Sequence, residues 1–103
     1  MWNISKNNIA RMVYKFPPLL GYNVEPVLKP KLQFLVNSMG RQVYEVVEYP
    51  RYFSYSLEKR IIPRARVIER RQISCDLKSM LAKNDDEFAA EFLGFGRMLI
   101  PTL

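Results

Sequence analysis

Histidine is absent from this 103-residue chain, and cysteine occurs once, at Cys75. Without histidine the chain lacks the commonest general base and the commonest metal ligand. A single cysteine excludes an intrachain disulfide and a cysteine-rich metal site. No paired-carboxylate motif and no glycine-rich phosphate loop replaces them, and glycine itself is scarce at four residues. The expectation is therefore a protein that is not an enzyme and holds no cofactor or metal. Long apolar runs are missing too. None reaches the roughly 18 residues needed to span a bilayer, so no membrane partner is expected. The opening Met1-Trp2-Asn3-Ile4-Ser5-Lys6 lacks the apolar stretch and cleavage site of a secretory signal, and it is too short to read as a transit peptide. Strand patterns are lacking as well, because short alternations such as Val43-Tyr44-Glu45-Val46 fit a helix equally well.

What the chain does have is positive charge, with a formal net of +6. Such an excess favours phosphate backbones or anionic surfaces as partners. Its distribution is uneven. Residues 1–50 carry +3 and residues 72–103 carry −2, whereas the 21 residues from Arg51 to Arg71 carry +5. The basic cluster consists of Arg51, Lys59, Arg60, Arg64, Arg66, Arg70 and Arg71. Arginine predominates, and its guanidinium fork suits bidentate phosphate contact. On a helix, Arg60 and Arg71 flank Val67 on one side, Lys59, Arg66 and Arg70 fall on another, and Arg64 lies near the edge of the apolar stripe. The competing explanation is a solvated helix face.

The sequence also repeats itself. Phe16-Pro17-Pro18-Leu19-Leu20-Gly21-Tyr22-Asn23-Val24-Glu25 lies over Tyr49-Pro50-Arg51-Tyr52-Phe53-Ser54-Tyr55-Ser56-Leu57-Glu58, a shift of 33 residues. At that shift Pro30 falls on Pro63, Lys31 on Arg64, Leu28 on Ile61 and Leu35 on Ile68. Each unit reads as a helix (Ile9 to Tyr14; Val43 to Glu48) stopped by the proline that follows Phe16 or Tyr49. A short aromatic turn comes next, with Asn23 and Ser56 as suitable N-cap residues. Pro30 and Pro63 then either open a second helix or kink one longer helix that starts near Val24 or Leu57. Leu28, Leu32 and Leu35 share a face, as do Ile61, Ala65 and Ile68. Gly40 is placed to end the first of these helices. In the tail, Asp76 caps Leu77 to Leu81, and Asn84 with Glu87 has capping-box spacing for a helix through Phe88, Phe92 and Leu93, ended by Gly94 and Gly96. The apolar Leu99–Leu103 end either packs or frays. Two helices per 33 residues imply an all-α helical-repeat solenoid, with repeats at about 8–40 and 41–73 and C-terminal capping helices at about 74–96.

These segments resemble the mitochondrial transcription termination factor (mTERF) family in its plant organellar form. The resemblance rests on Lys15-Phe16-Pro17-Pro18-Leu19-Leu20-Gly21-Tyr22, on Leu28-Lys29-Pro30-Lys31-Leu32, on Val46 to Arg64, and on Ser79 to Phe88. It implies an all-α superhelix, a basic path for double-stranded DNA or structured RNA, possible company of other organelle gene-expression proteins, and residence in a chloroplast or mitochondrion, the plastid being favoured. The implied activity is regulation of organelle transcription, its termination or RNA processing, with the seven cluster residues as phosphate contacts. Family members are longer, with many repeats, so this chain is expected to be a fragment or a shortened product. A protein-interaction module, or a truncated member with little activity alone, is the alternative. Among the aromatics Tyr22, Tyr49, Tyr52, Phe53 and Tyr55, recurrence at the repeat shift favours core packing over base stacking, with Tyr52, beside Arg51, as the expected exception.

Overall fold

The computed structural model describes residues 4–94, and among them there are helices and turns but no strands. The residues up to Ser56 form one compact unit, and those from Leu57 onward form a second. None of the described helices is long and apolar enough to cross a membrane.

Unit 1 opens with α1 (Lys6–Lys15), whose first turn is closed by the Ser5 side chain accepting from the Asn8 amide. The helix stops at Phe16, where φ and ψ are −143° and 79°. Pro17 imposes that stop, since the residue before a proline is driven out of the helical region. A 3₁₀ turn, Pro17–Gly21, follows. One repeat later α3 (Tyr44–Glu48) stops at Tyr49 with φ −134° and ψ 71°, followed by the 3₁₀ turn Pro50–Ser54. The sequence repeat is thus a repeat of backbone conformation.

The structure decides between the two readings of Pro30 and Pro63 in favour of one longer helix. A wide π turn, Val24–Leu28, runs into α2 (Lys29–Gln33) and then into a second wide turn, Phe34–Ser38, with helical dihedrals at every junction. In unit 2 the wide turn Leu57–Ile61 runs into α4 (Ile62–Arg70) in the same way. Each proline sits two residues after a wide turn. An interior proline brings no N–H, and its ring crowds the carbonyl four residues back. Adding one residue to that turn relieves the crowding without ending the helix. Asn23 occupies the N-cap position, yet its side chain makes no capping hydrogen bond. Gly40, at φ +67°, ends the first long helix as expected, and the Arg41 amide reaches back to the Leu35 carbonyl at 3.0 Å.

In unit 2, α5 (Leu77–Leu81) is capped by Asp76, and α6 (Asp85–Phe88) is opened by the expected capping box of Asn84 and Glu87 and continues as a wide turn, Ala89–Leu93, to Gly94 at φ +76°. Gly96 and the Leu99–Leu103 end lie outside the described residues. The last residues of α1, α3 and α5 are 15, 48 and 81, so α5 is in register as the first helix of a third repeat. Beyond α5 the register is lost, because Ala82-Lys83 stands where the other repeats carry aromatic-proline. The core of unit 1 holds Leu32, Leu35, Val46, Val47, Tyr52 and Phe53; that of unit 2 holds Ile61, Ile68, Leu77, Met80, Leu81, Phe88 and Phe92.

Candidate nucleic-acid interface

Six of the seven cluster residues lie on unit 2, along the helix that begins at Leu57. Arg66 and Arg70 are four residues apart in α4, hence on one side of it, and both are exposed. Arg71, the exposed cap residue, follows at once. Cations in the last turn and cap also suit the negative end of the helix dipole. Among the described residues the side chains of Arg66, Arg70 and Arg71 make no hydrogen bond or ion pair. Lys59 is exposed on the wide turn. Arg60 is half-buried and donates from Nη1 to the Leu81 carbonyl at 3.1 Å.

Arg64 departs from the expectation. Instead of edging the apolar stripe it is buried, at 4% exposure. Its Nη1 donates to the carbonyls of Met80 at 3.0 Å and Lys83 at 2.7 Å, and its Nη2 pairs with Asp85 Oδ1 at 2.9 Å. The guanidinium also lies over the Phe88 ring, 4.6 Å from its centroid. The cause is helical spacing: Arg64 is three residues from Ile61 and four from Ile68, both buried, so it points where they point. A phosphate would have to displace all of these partners.

Arg51 belongs to unit 1, exposed on the 3₁₀ turn with its Cζ 4.9 Å from the Phe16 ring centroid. Of the other cations of unit 1, Arg11, Lys15, Lys29, Lys31 and Arg41 are engaged. Arg11 Nη2 meets Glu48 Oε2 at 2.8 Å, and Lys15 Nζ meets Glu48 Oε1 at 3.5 Å. Lys29 pairs with Glu25, and Arg41 pairs with Glu45 at 2.8 Å. A hydrogen bond with Tyr44, then the attraction of Lys15 and Arg11, holds the Glu48 carboxyl below its usual range against the opposing effect of desolvation. Tyr44 and Glu48 together hold the Arg11 guanidinium above its own.

Tyr52 is not the exposed aromatic that its neighbour Arg51 suggested. It is fully buried, and its hydroxyl donates to the Lys31 carbonyl at 2.7 Å. Burial pushes its phenol well above the usual range. In a 3₁₀ turn successive side chains are a third of a turn apart, so Arg51 and Tyr52 face different ways. Phe53 is buried beside it, their rings edge to face at 5.4 Å, and Tyr49 and Tyr55 share a hydroxyl–hydroxyl hydrogen bond of 2.8 Å. Sequence reasoning passed over Lys31, whose Nζ donates to the Phe53 carbonyl at 2.8 Å. Its position at the repeat shift from Arg64 was the available signal. Among the described residues no group of three or more acidic or cysteine side chains is placed to hold a metal ion.

Tandem helical units in a 33-residue register, with Arg66 and Arg70 on one side of a helix and their side chains without a partner among the described residues, define a helical-repeat protein with a basic helix face. The mTERF family model matches residues 2–89, and the chain belongs to the mTERF family. It is 44% identical over 80 residues to transcription termination factor MTERF2, chloroplastic, of Arabidopsis thaliana, covering 78% of this chain and 12% of that protein. It is 36% identical over 68 residues to transcription termination factor MTERF6, chloroplastic/mitochondrial, of the same plant, covering 66% and 20%. With transcription termination factor MTERF4, chloroplastic, of Zea mays the identity is 29% over 82 residues, covering 80% and 16%. The chain therefore spans between 12% and 20% of the length of these relatives. No solved structure matches it.

Proposed function

We propose that this chain supplies phosphate contacts to a nucleic-acid-binding regulator of organelle transcription, transcription termination or RNA processing, acting in a chloroplast or mitochondrion on double-stranded DNA or structured RNA. The observation that carries the reading is that Arg66, Arg70 and Arg71 are exposed and lack a partner among the described residues. Family membership and the relatives' names support it. Lys59 and Arg51 are auxiliary contacts, and Arg60, which donates to the Leu81 carbonyl, is a weaker one. Arg64 is left out of the contact set, because its donors are taken. Contacts of this kind position a backbone and carry no base code.

The test is the salt dependence of binding to duplex DNA and to a structured RNA, for wild type and for Arg66→Ala/Arg70→Ala/Arg71→Ala. Each lost phosphate contact lowers the slope of log K against log salt by about 0.9 on B-DNA. The expected loss is thus between about 2 and 3 slope units in a variant that keeps its helicity. A folded variant with the wild-type slope counts against the proposal.

A second reading, a helical-repeat protein-interaction module, draws on one observation. Tyr14 and Leu20 are 88% and 77% exposed, whereas their repeat equivalents Val47 and Phe53 are buried. Salt-resistant, nuclease-resistant capture of one organellar protein, lost in Tyr14→Ser/Leu20→Ser, would favour it.

A further inference from the structure

We infer that Arg64 is a positioning residue, the latch that docks α5 and α6 against the inner side of α4 and so leaves the Arg66 and Arg70 side facing solvent; its bearing on binding rests on the function proposed above. The last carbonyls of a helix have no partner within it and form the negative end of its dipole. In α5 those groups are met from α4 and the turn before it. Met80 accepts from Arg64 at 3.0 Å, Leu81 accepts from Arg60 at 3.1 Å and from Arg64 at 3.4 Å, and Lys83, just beyond, accepts from Arg64 at 2.7 Å. The remaining arm of Arg64 takes Asp85, the first residue of α6, and its flat face covers Phe88. One buried guanidinium thus binds the end of one helix and the start of the next.

The same position in the preceding repeat does related work with a lysine. Lys31 Nζ donates to the Phe53 carbonyl at 2.8 Å, in the turn that follows α3, while the Lys31 carbonyl accepts from the Tyr52 hydroxyl. The cation 33 residues apart in the sequence is therefore a recurring side-chain-to-carbonyl clamp on the stretch after the next first helix. Arg64 and Arg66 are two residues apart, about 200° around a helix, so fastening one inward directs the other outward.

Arg64→Met removes the donors at similar bulk, Arg64→Lys keeps a cation that position 31 already uses, and Asp85→Asn removes only the acid. Amide hydrogen exchange is read across α5 and α6 and across α1 and α3, with duplex-DNA binding against salt measured in parallel. Stripping the partner from buried polar groups accelerates local exchange by at least about 30-fold. That acceleration is expected in α5 and α6 for Arg64→Met, with α1 and α3 unchanged, recovery by Arg64→Lys to within about 5-fold of wild type, and a wild-type salt slope. If Arg64→Met does not fold, Asp85→Asn carries the test, with faster exchange confined to α5 and α6. Wild-type protection in every variant overturns the inference, as does uniform acceleration throughout the chain. A salt slope lowered by about one with protection intact also overturns it, since that marks Arg64 as a phosphate ligand. A wild type that binds no nucleic acid defeats the proposed function alone, because the exchange measurement still decides the latch.

Discussion

In unit 1, Arg11 and Lys15 share Glu48, Lys29 meets Glu25 and Arg41 meets Glu45; in unit 2, Arg66, Arg70 and Arg71 meet no carboxylate among the described residues. Formal charge ranks the two the other way. Residues 1–56 carry a net +4 and residues 57–103 a net +2. Four of the seven acids of unit 2 serve elsewhere. Asp76 caps a helix, Glu87 completes the capping box with Asn84, Asp85 serves the buried Arg64, and Glu91 takes Lys83. Exposed ion pairs such as Arg11–Glu48 add little stability. Their larger effect is to occupy cations. On the function proposed above, a partner senses the cations of α4 and its cap that meet no carboxylate among the described residues, and net charge per segment is a poor guide to them.

The largest expected effect tests that contrast directly. Arg66→Ala/Arg70→Ala/Arg71→Ala is expected to weaken duplex-DNA binding at least about 100-fold near physiological salt, whereas Arg11→Ala/Lys15→Ala/Arg41→Ala, removing as many cations, weakens it less than about 10-fold. Equal losses in titrations at matched salt would break the comparison. A smaller effect concerns the two clamps. Tyr52→Phe strands the Lys31 carbonyl that its hydroxyl satisfies and is expected to cost about 1–2 kcal/mol in urea unfolding. That lies below the loss from Arg64→Met, where a buried charged partner disappears.

The repeat was legible because its signals are local. An aromatic before a proline stops a helix wherever it occurs, and Phe16 and Tyr49 adopt nearly the same dihedrals for that reason. The capping box at Asn84 and Glu87 is likewise contained in four residues. Arg64 was misplaced because its partners, Met80 to Asp85, lie 16 to 21 residues away, and no local pattern shows a guanidinium facing carbonyls from another helix. The spacing Ile61, Arg64, Ile68 held the clue, since it sets Arg64 on the buried face. Tyr52 was misread by extending exposure from Arg51 to its neighbour, which a turn with three residues per revolution does not allow.

A still smaller effect separates the ends of the two long helices. The first ends on Gly40 at φ +67°, while α4 ends through Gln72 at φ 54°, a left-handed conformation that costs a side-chain-bearing residue about 1 kcal/mol. Gln72→Gly is expected to stabilise by about 0.5 kcal/mol, since glycine regains that strain but gives up chain entropy in the unfolded state. A thermal melt read in α4 is the check, and a lowered Tm would mean that the Gln72 side chain makes a contact worth more than the strain.

The smallest effect on stability, and the sharpest probe of the contrast, lies at Glu48. Its carboxyl is held below the ordinary range, first by the Tyr44 hydrogen bond and then by Lys15 and Arg11. A carboxyl whose folded pKa is depressed contributes stability above its unfolded pKa, about 4.3 for glutamate, and loses it as the pH falls through the folded value. The difference in stability between wild type and Glu48→Gln should therefore be constant from pH 7 to about pH 5, shrink below about pH 4.3 and vanish in stronger acid. A difference that persists in acid would assign the effect to packing. At pH 7 the same variant leaves Arg11 and Lys15 without their shared carboxylate, which gives unit 1 the condition of unit 2. A salt slope steeper by between about 1 and 2 would show that pairing alone separates the two units. An unchanged slope would show that the position of Arg66, Arg70 and Arg71 on α4 and its cap matters as much as their lack of partners.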